Sequence, residues 1–146
     1  MQSSIPVSGP RAAAPSLRVL LVDDDYLLTR SLRRVLMALR PDLTIQVASS
    51  ASEALDVLAT SAFDAIITDL SMPGLSGLAW LERLQRDYPE LPRVIHSSQV
   101  ESFGEDEVRR LSHAAFAKPV RASELLGALD LAAWLSPPVQ PGLRSA

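Results

Sequence analysis

Apolar and polar positions along the chain switch repeatedly between the period of a strand and the period of a helix. Arg18-Val-Leu-Leu-Val22 is a short apolar run that stops at three acids, the pattern of a strand buried on both faces. Leu28, Leu32, Val35, Leu36 and Leu39 then recur at helical spacing, and Arg40-Pro41 ends that helix. Leu43, Ile45 and Val47 alternate with Thr44 and Gln46 as a second strand. Ser50 and Glu53 have capping-box spacing ahead of Ala54, Leu55 and Leu58 on one helical face. Ala65-Ile-Ile-Thr68 predicts a third strand. Leu78, Leu81 and Leu84 predict a helix ending near Tyr88-Pro89, and Val94-Ile-His96 a fourth strand. A short helix over Glu105–Leu111, a small-residue strand Ala114–Ala117 and a last helix carrying Leu125, Leu126, Leu129 and Ala133 complete the series. Strand and helix alternating in this way specify an α/β fold, a doubly wound five-stranded parallel sheet with helices on both faces. Ligands of such sheets sit beyond the carboxyl ends of the strands.

Proline marks where the folded part ends. Of the 11 prolines, Pro6, Pro10 and Pro15 lie in residues 1–16, and Pro137, Pro138 and Pro141 in residues 136–146. Both segments are also rich in Ser, Ala and Gly, so they are expected to be flexible tails around a folded unit at 17–135. All 17 acidic residues fall inside that unit, as do all of the 14 basic ones except Arg11 and Arg144. A chain of 146 residues is too short for this unit plus a full effector domain, so it is either a stand-alone module or part of a longer protein. Without cysteine there is no disulfide framework, thiolate nucleophile or Cys-ligated metal site. The formal charge of −3 offers no basic face for nucleic acid. No apolar run reaches the roughly 18 residues of a membrane span, and the first residues lack a signal-peptide core. A cytoplasmic protein with no membrane or direct nucleic-acid partner is the expectation.

The residues that follow the strands carry the chemistry. Asp23, Asp24 and Asp25 follow the first, Asp69 the third, Ser97 and Ser98 the fourth, and Lys118-Pro119 the fifth. Carboxylates crowded together raise one another's pKa unless a cation separates them. Oxygen ligands suit a hard divalent ion, and Mg²⁺ characteristically keeps one or two carboxylates, waters and a phosphate oxygen. Lys118, the single lysine among thirteen arginines, is a compact charge suited to a phosphoryl oxygen, and a serine hydroxyl can donate to another. The set therefore suits a phosphoryl group beside Mg²⁺.

In this order, Val22-Asp23-Asp24-Asp25, Asp69-Leu-Ser-Met-Pro-Gly-Leu-Ser-Gly77, Ser97-Ser98 and Lys118-Pro119 resemble the receiver domain of bacterial two-component response regulators across Leu17 to Leu135. The resemblance implies a flavodoxin-like (βα)5 fold with strand order 2-1-3-4-5. It implies phosphorylation of Asp69 by a histidine kinase or a His-containing phosphotransfer protein. Asp23 and Asp24 match the pair that holds Mg²⁺, Asp24 as the more direct ligand, and Ser71 the position whose backbone carbonyl completes the metal shell. Ser97 matches the switch hydroxyl, and Lys118 the family lysine. The implied output is a protein-interaction face passing the signal to a downstream protein target, with a homodimer as one form it can take. Two departures matter: the aromatic position three before the lysine falls on Ala115, with Phe116 one place later, and the small residue after the switch hydroxyl is Ser98, which is small enough to fit.

Each residue also has a plainer reading. Asp25 reads best as a helix N-cap. Asp69 could be a turn residue, Lys118-Pro119 a surface turn and Ser97 a strand-end hydroxyl. His96 is read as structural, aimed away from the site by strand alternation. His113 is read as a surface or loop residue and Trp80 as a packing residue. Three rival classes stay open. One is a degenerate receiver used only for protein contact. A haloacid dehalogenase-type phosphatase would share the Asp23-x-Asp25 spacing but wants a hydroxyl where Leu27 stands. A flavin binder of flavodoxin type would meet repulsion between its phosphate and three aspartates.

Overall fold

The computed structural model describes residues 16–135, so the expected tails lie outside the described residues, Ser16 apart. The elements run β1 (Leu17–Val22), α1 (Tyr26–Leu39), β2 (Leu43–Ala48), α2 (Ala51–Leu58), β3 (Ala65–Thr68), α3 (Gly77–Asp87), β4 (Arg93–Ser97), α4 (Glu105–Arg110), β5 (Ala114–Ala117) and α5 (Ala122–Leu135), with a 3₁₀ turn at Glu101–Phe103. The strands form one parallel sheet in the order β2-β1-β3-β4-β5. This is the doubly wound topology and strand order expected from the sequence.

Alternation along the strands divides the core. Leu20, Val22 and Ile66 face α2 and α3, where Leu58, Trp80 and Leu84 cover them. Val19, Leu21, Ile67 and Val94 face the other way, onto Leu36 of α1 and Leu125 and Leu129 of α5. A third cluster, Leu70, Leu81, Ile95, Val108 and Leu111, joins the sheet to α3 and α4. Each large aliphatic buried this way contributes about 1.5–3 kcal/mol.

The starts of α1 and α2 are held by side chains. Asp25 Oδ1 accepts the Leu28 amide at 3.1 Å, the N-cap expected of it. Ser50 Oγ accepts the Glu53 amide at 3.0 Å, but the return arm of Glu53 takes the amide and hydroxyl of Ser49, not the amide of Ser50. At the amino end of the sheet the buried Arg93 guanidinium donates to the carbonyls of Leu111, Tyr88 and Leu91 and to Gln85. It ties α3, β4 and the α4–β5 connection together at the edge opposite the acidic residues.

Candidate functional site

Strand pairing sets the site. β1 and β3 run side by side with Val22 opposite Thr68, so Asp23 and Asp69 leave the sheet as neighbours. The Asp69 amide donates to Val22 O at 2.9 Å and the Asp23 amide to Ala48 O at 3.1 Å, which anchors both backbones. β4 and β5 pair with Ser97 opposite Ala117, and the Lys118 amide donates to Ser97 O at 3.1 Å. From there the Lys118 stem crosses the rim. Its ammonium donates to Asp23 Oδ2 at 2.8 Å and to Asp69 Oδ2 at 3.3 Å.

The Asp69 carboxylate is fixed at both oxygens. Oδ1 accepts the amides of Leu70 at 2.7 Å and Ser71 at 3.1 Å, leaving Oδ2 toward Lys118. Asp23 Oδ1 accepts the Asp25 amide at 2.9 Å. Asp23 and Asp69 are buried, whereas Asp24 is exposed at the mouth. Burial pushes the Asp23 carboxyl above its ordinary range; the Lys118 bond and the Asp25 amide pull it down, and the charge of Asp69 pushes it up. Burial pulls the Lys118 ammonium down, but its bond to Asp23 and the charges of Asp23 and Asp69 outweigh that and hold it above the usual lysine range.

Asp23, Asp24 and Asp69 each offer a carboxylate oxygen, and these oxygens lie within 4.8 Å of one another. Three carboxylates against one ammonium leave surplus negative charge at a partly desolvated rim. An all-oxygen donor set with that surplus fits a hard divalent cation such as Mg²⁺. Ser71 stands next to this group through its amide. Ser97 is fully buried, and its Oγ accepts the Gln99 amide at 3.1 Å.

His96 is buried on the Val94 side of the sheet, the face that alternation gives it. Burial lowers its pKa, the Lys118 charge lowers it further, and the Asp69 charge opposes. His113 is exposed and sits in the α4–β5 connection as expected, and its Nδ1 accepts the Arg93 amide at 3.0 Å. Trp80 packs in the core as read. In addition its indole N–H donates to Thr68 Oγ1 at 2.9 Å, and that hydroxyl donates to the Asp69 carbonyl at 2.8 Å. No spacing in the sequence announces this link.

Fold and acidic rim together define a receiver-type architecture. The chain matches the family model for the response regulator receiver domain over residues 19–130, and it belongs to that family. It is 35% identical over 118 residues to protein-glutamate methylesterase/protein-glutamine glutaminase 1 of Cereibacter sphaeroides, covering 78% of this chain and 31% of that protein. It is 36% identical over 80 residues to response regulator MprA of Mycobacterium bovis, covering 55% of this chain and 34% of that one. The chain thus spans about a third of the length of these curated relatives. A solved response regulator receiver domain protein from Clostridium thermocellum superposes with a TM-score of 0.73 over 82% of this chain and 95% of that one, at 23% identity, a likeness of fold. Among the described residues no helix is long and apolar enough to cross a membrane.

Proposed function

We propose that the chain is a phosphoacceptor: Asp69 takes a phosphoryl group from a histidine kinase or a His-containing phosphotransfer protein, with Mg²⁺ bound by Asp23, Asp24, Asp69 and the Ser71 carbonyl. The observation that carries this reading is the meeting of Asp23, Asp24, Asp69 and Lys118 at one rim from three different strands. Bound there, Mg²⁺ would supply positive charge against the phosphoryl oxygens as they pass from donor to acceptor.

The chain's own groups do the positioning. The amides of Leu70 and Ser71 hold the Asp69 carboxylate in one plane, and Lys118 holds its second oxygen at the open side. A carboxylate oxygen of Asp69 attacks the phosphorus of a phosphohistidine. The O–P bond forms as the P–N bond breaks, and the electron pair leaves with the imidazole. Lys118 then pairs with a phosphoryl oxygen, a contact that strengthens as charge moves toward the acceptor. The product is an acyl phosphate, which water later hydrolyses. The new group adds about −1.5 to −2 charge to the rim. The Ser97 hydroxyl turns to donate to a phosphoryl oxygen, and the shift passes along β4 toward α4 and β5, the face that meets a downstream protein. A cytoplasmic setting goes with a kinase donor.

The phosphatase reading lacks its hydroxyl, because Leu27 stands 73% exposed at that position of α1. Intact mass after incubation with acetyl phosphate and Mg²⁺ tests the proposal. A phosphoryl adduct on the native chain, absent from Asp69→Asn and suppressed by EDTA, is the expected result. No adduct, or one that survives Asp69→Asn, overturns it.

A further inference from the structure

The family's aromatic position is Ala115, which is half-buried beside the third apolar cluster. The aromatic ring among the described residues of that cluster is Phe103, and it comes from the other end of α4, on the 3₁₀ turn after β4. The Phe103 ring lies against Gly77, the first residue of α3. A methyl carbon built on Gly77 would fall 2.6 Å from Phe103 Cε1 and 3.0 Å from Cδ1, so this approach requires glycine. Gly77 also has φ +61°, a conformation that a side chain would strain.

These two residues close a circuit around the site. From Asp69 Oδ1 it runs to the Leu70 amide at 2.7 Å, and from the Leu70 carbonyl to the Gly77 amide at 2.7 Å. It crosses by packing from Gly77 to the Phe103 ring. The Phe103 amide donates to Gln99 O at 3.3 Å, and the Gln99 amide donates to Ser97 Oγ at 3.1 Å. Both ends of the circuit are groups that a phosphoryl group on Asp69 would engage. Gly104, at φ +87° with open space around it, follows Phe103 as a pivot between the turn and α4.

We infer that Phe103 seated on Gly77 is the conformational latch of this domain and takes the signalling part that Ala115 cannot. The inference rests on the phosphoacceptor reading of Asp69. When the Ser97 hydroxyl turns to a phosphoryl oxygen, the Gln99 amide loses its acceptor. The 99–103 turn then loosens, Phe103 leaves Gly77 by pivoting at Gly104, and apolar surface between α3 and α4 is uncovered. Ser97 Oγ meets the Gln99 amide in one rotamer and a phosphoryl oxygen in another, so the seated latch and the phosphoryl group exclude each other. Opening the latch by mutation therefore favours phosphorylation, and phosphorylation favours opening.

Two variants open the latch by different routes. Phe103→Ala deletes the ring, and Gly77→Ala pushes it off while leaving Phe103 intact. The measurement is amide hydrogen exchange over residues 99–104, with and without acetyl phosphate and Mg²⁺, alongside the rate of adduct formation by intact mass. In the native chain, exchange across 99–104 is expected to quicken once the adduct forms. In both variants it is already quick without the donor, and adduct formation is severalfold faster than in the native chain. An adduct on Asp69 with unchanged exchange across 99–104 overturns the latch and leaves the phosphoacceptor reading standing. Unchanged adduct rates in both variants overturn it as well. No adduct on the native chain overturns the phosphoacceptor reading, and the latch falls with it.

Discussion

Replacing Lys118 by Met keeps most of the stem and deletes the ammonium that lies 2.8 Å from Asp23 Oδ2 and 3.3 Å from Asp69 Oδ2. Asp23 is then a buried carboxylate, its side chain 4% exposed, facing a like charge with no counterion. Breaking a fully buried pair costs about 3–5 kcal/mol. The Lys118 side chain is 20% exposed, and water reaching it reduces the loss to about 2–3 kcal/mol. For a domain of this size that is a fall of about 8–12 °C in melting temperature. The cost depends on what else neutralises the rim. In EDTA the whole deficit is expected; in saturating Mg²⁺ the bound cation supplies the missing positive charge and the deficit shrinks. Asp69→Asn has the opposite sign, raising stability in EDTA by removing one of the crowded charges. Thermal or urea unfolding of the three proteins in EDTA and in Mg²⁺ reads this directly. A Lys118→Met deficit of equal size in both buffers, or none in EDTA, would refute the electrostatic account of the rim.

Other consequences are independent of the metal. Arg93→Met orphans the carbonyls of Leu111, Tyr88 and Leu91 in a site where burial already pushes the guanidinium down to about 10, and is expected to cost about 3–4 kcal/mol in urea unfolding. Because that site is at the far edge of the sheet, adduct formation on Asp69 below the melting transition should be unchanged. Trp80→Phe removes the donor to Thr68 Oγ1 and part of a fully buried ring, an expected loss of about 2 kcal/mol by the same assay. Burial depresses the pKa of His96, and the charge of Lys118 adds to that. Below about pH 6.5 the unfolded chain therefore binds protons that the folded chain refuses. Stability should be full above that pH and fall as pH drops, by at most about 1.4 kcal/mol per pH unit for this histidine. His96→Leu should remove its share of the slope; an unchanged slope would contradict the burial of that ring.

The chemistry at the strand ends was legible because it follows from local pattern. Apolar runs such as Val19–Val22 and Ala65–Ile67 end at Asp23 and Asp69, and a parallel sheet brings such ends to one edge. The strand order came from the family resemblance, not from periodicity, and the sheet has that order. Contacts between distant segments were not legible. Glu53 reaching Ser49, Trp80 reaching Thr68, and Phe103 resting on Gly77 depend on how helices settle on the sheet. The chain carries no local mark of them. His96 illustrates the same limit: alternation gives its face correctly, but not its closeness to the charges of Lys118 and Asp69.

An acyl phosphate is reduced by borohydride, which turns the modified aspartate into homoserine. Peptide mapping of the native chain after acetyl phosphate, Mg²⁺ and borohydride therefore locates the phosphoryl group by residue. The account predicts homoserine at position 69 and at no other aspartate, including its neighbours at the rim, Asp23 and Asp24. Homoserine at either of those, or an unaltered Asp69 in a chain that had gained the adduct mass, would contradict it.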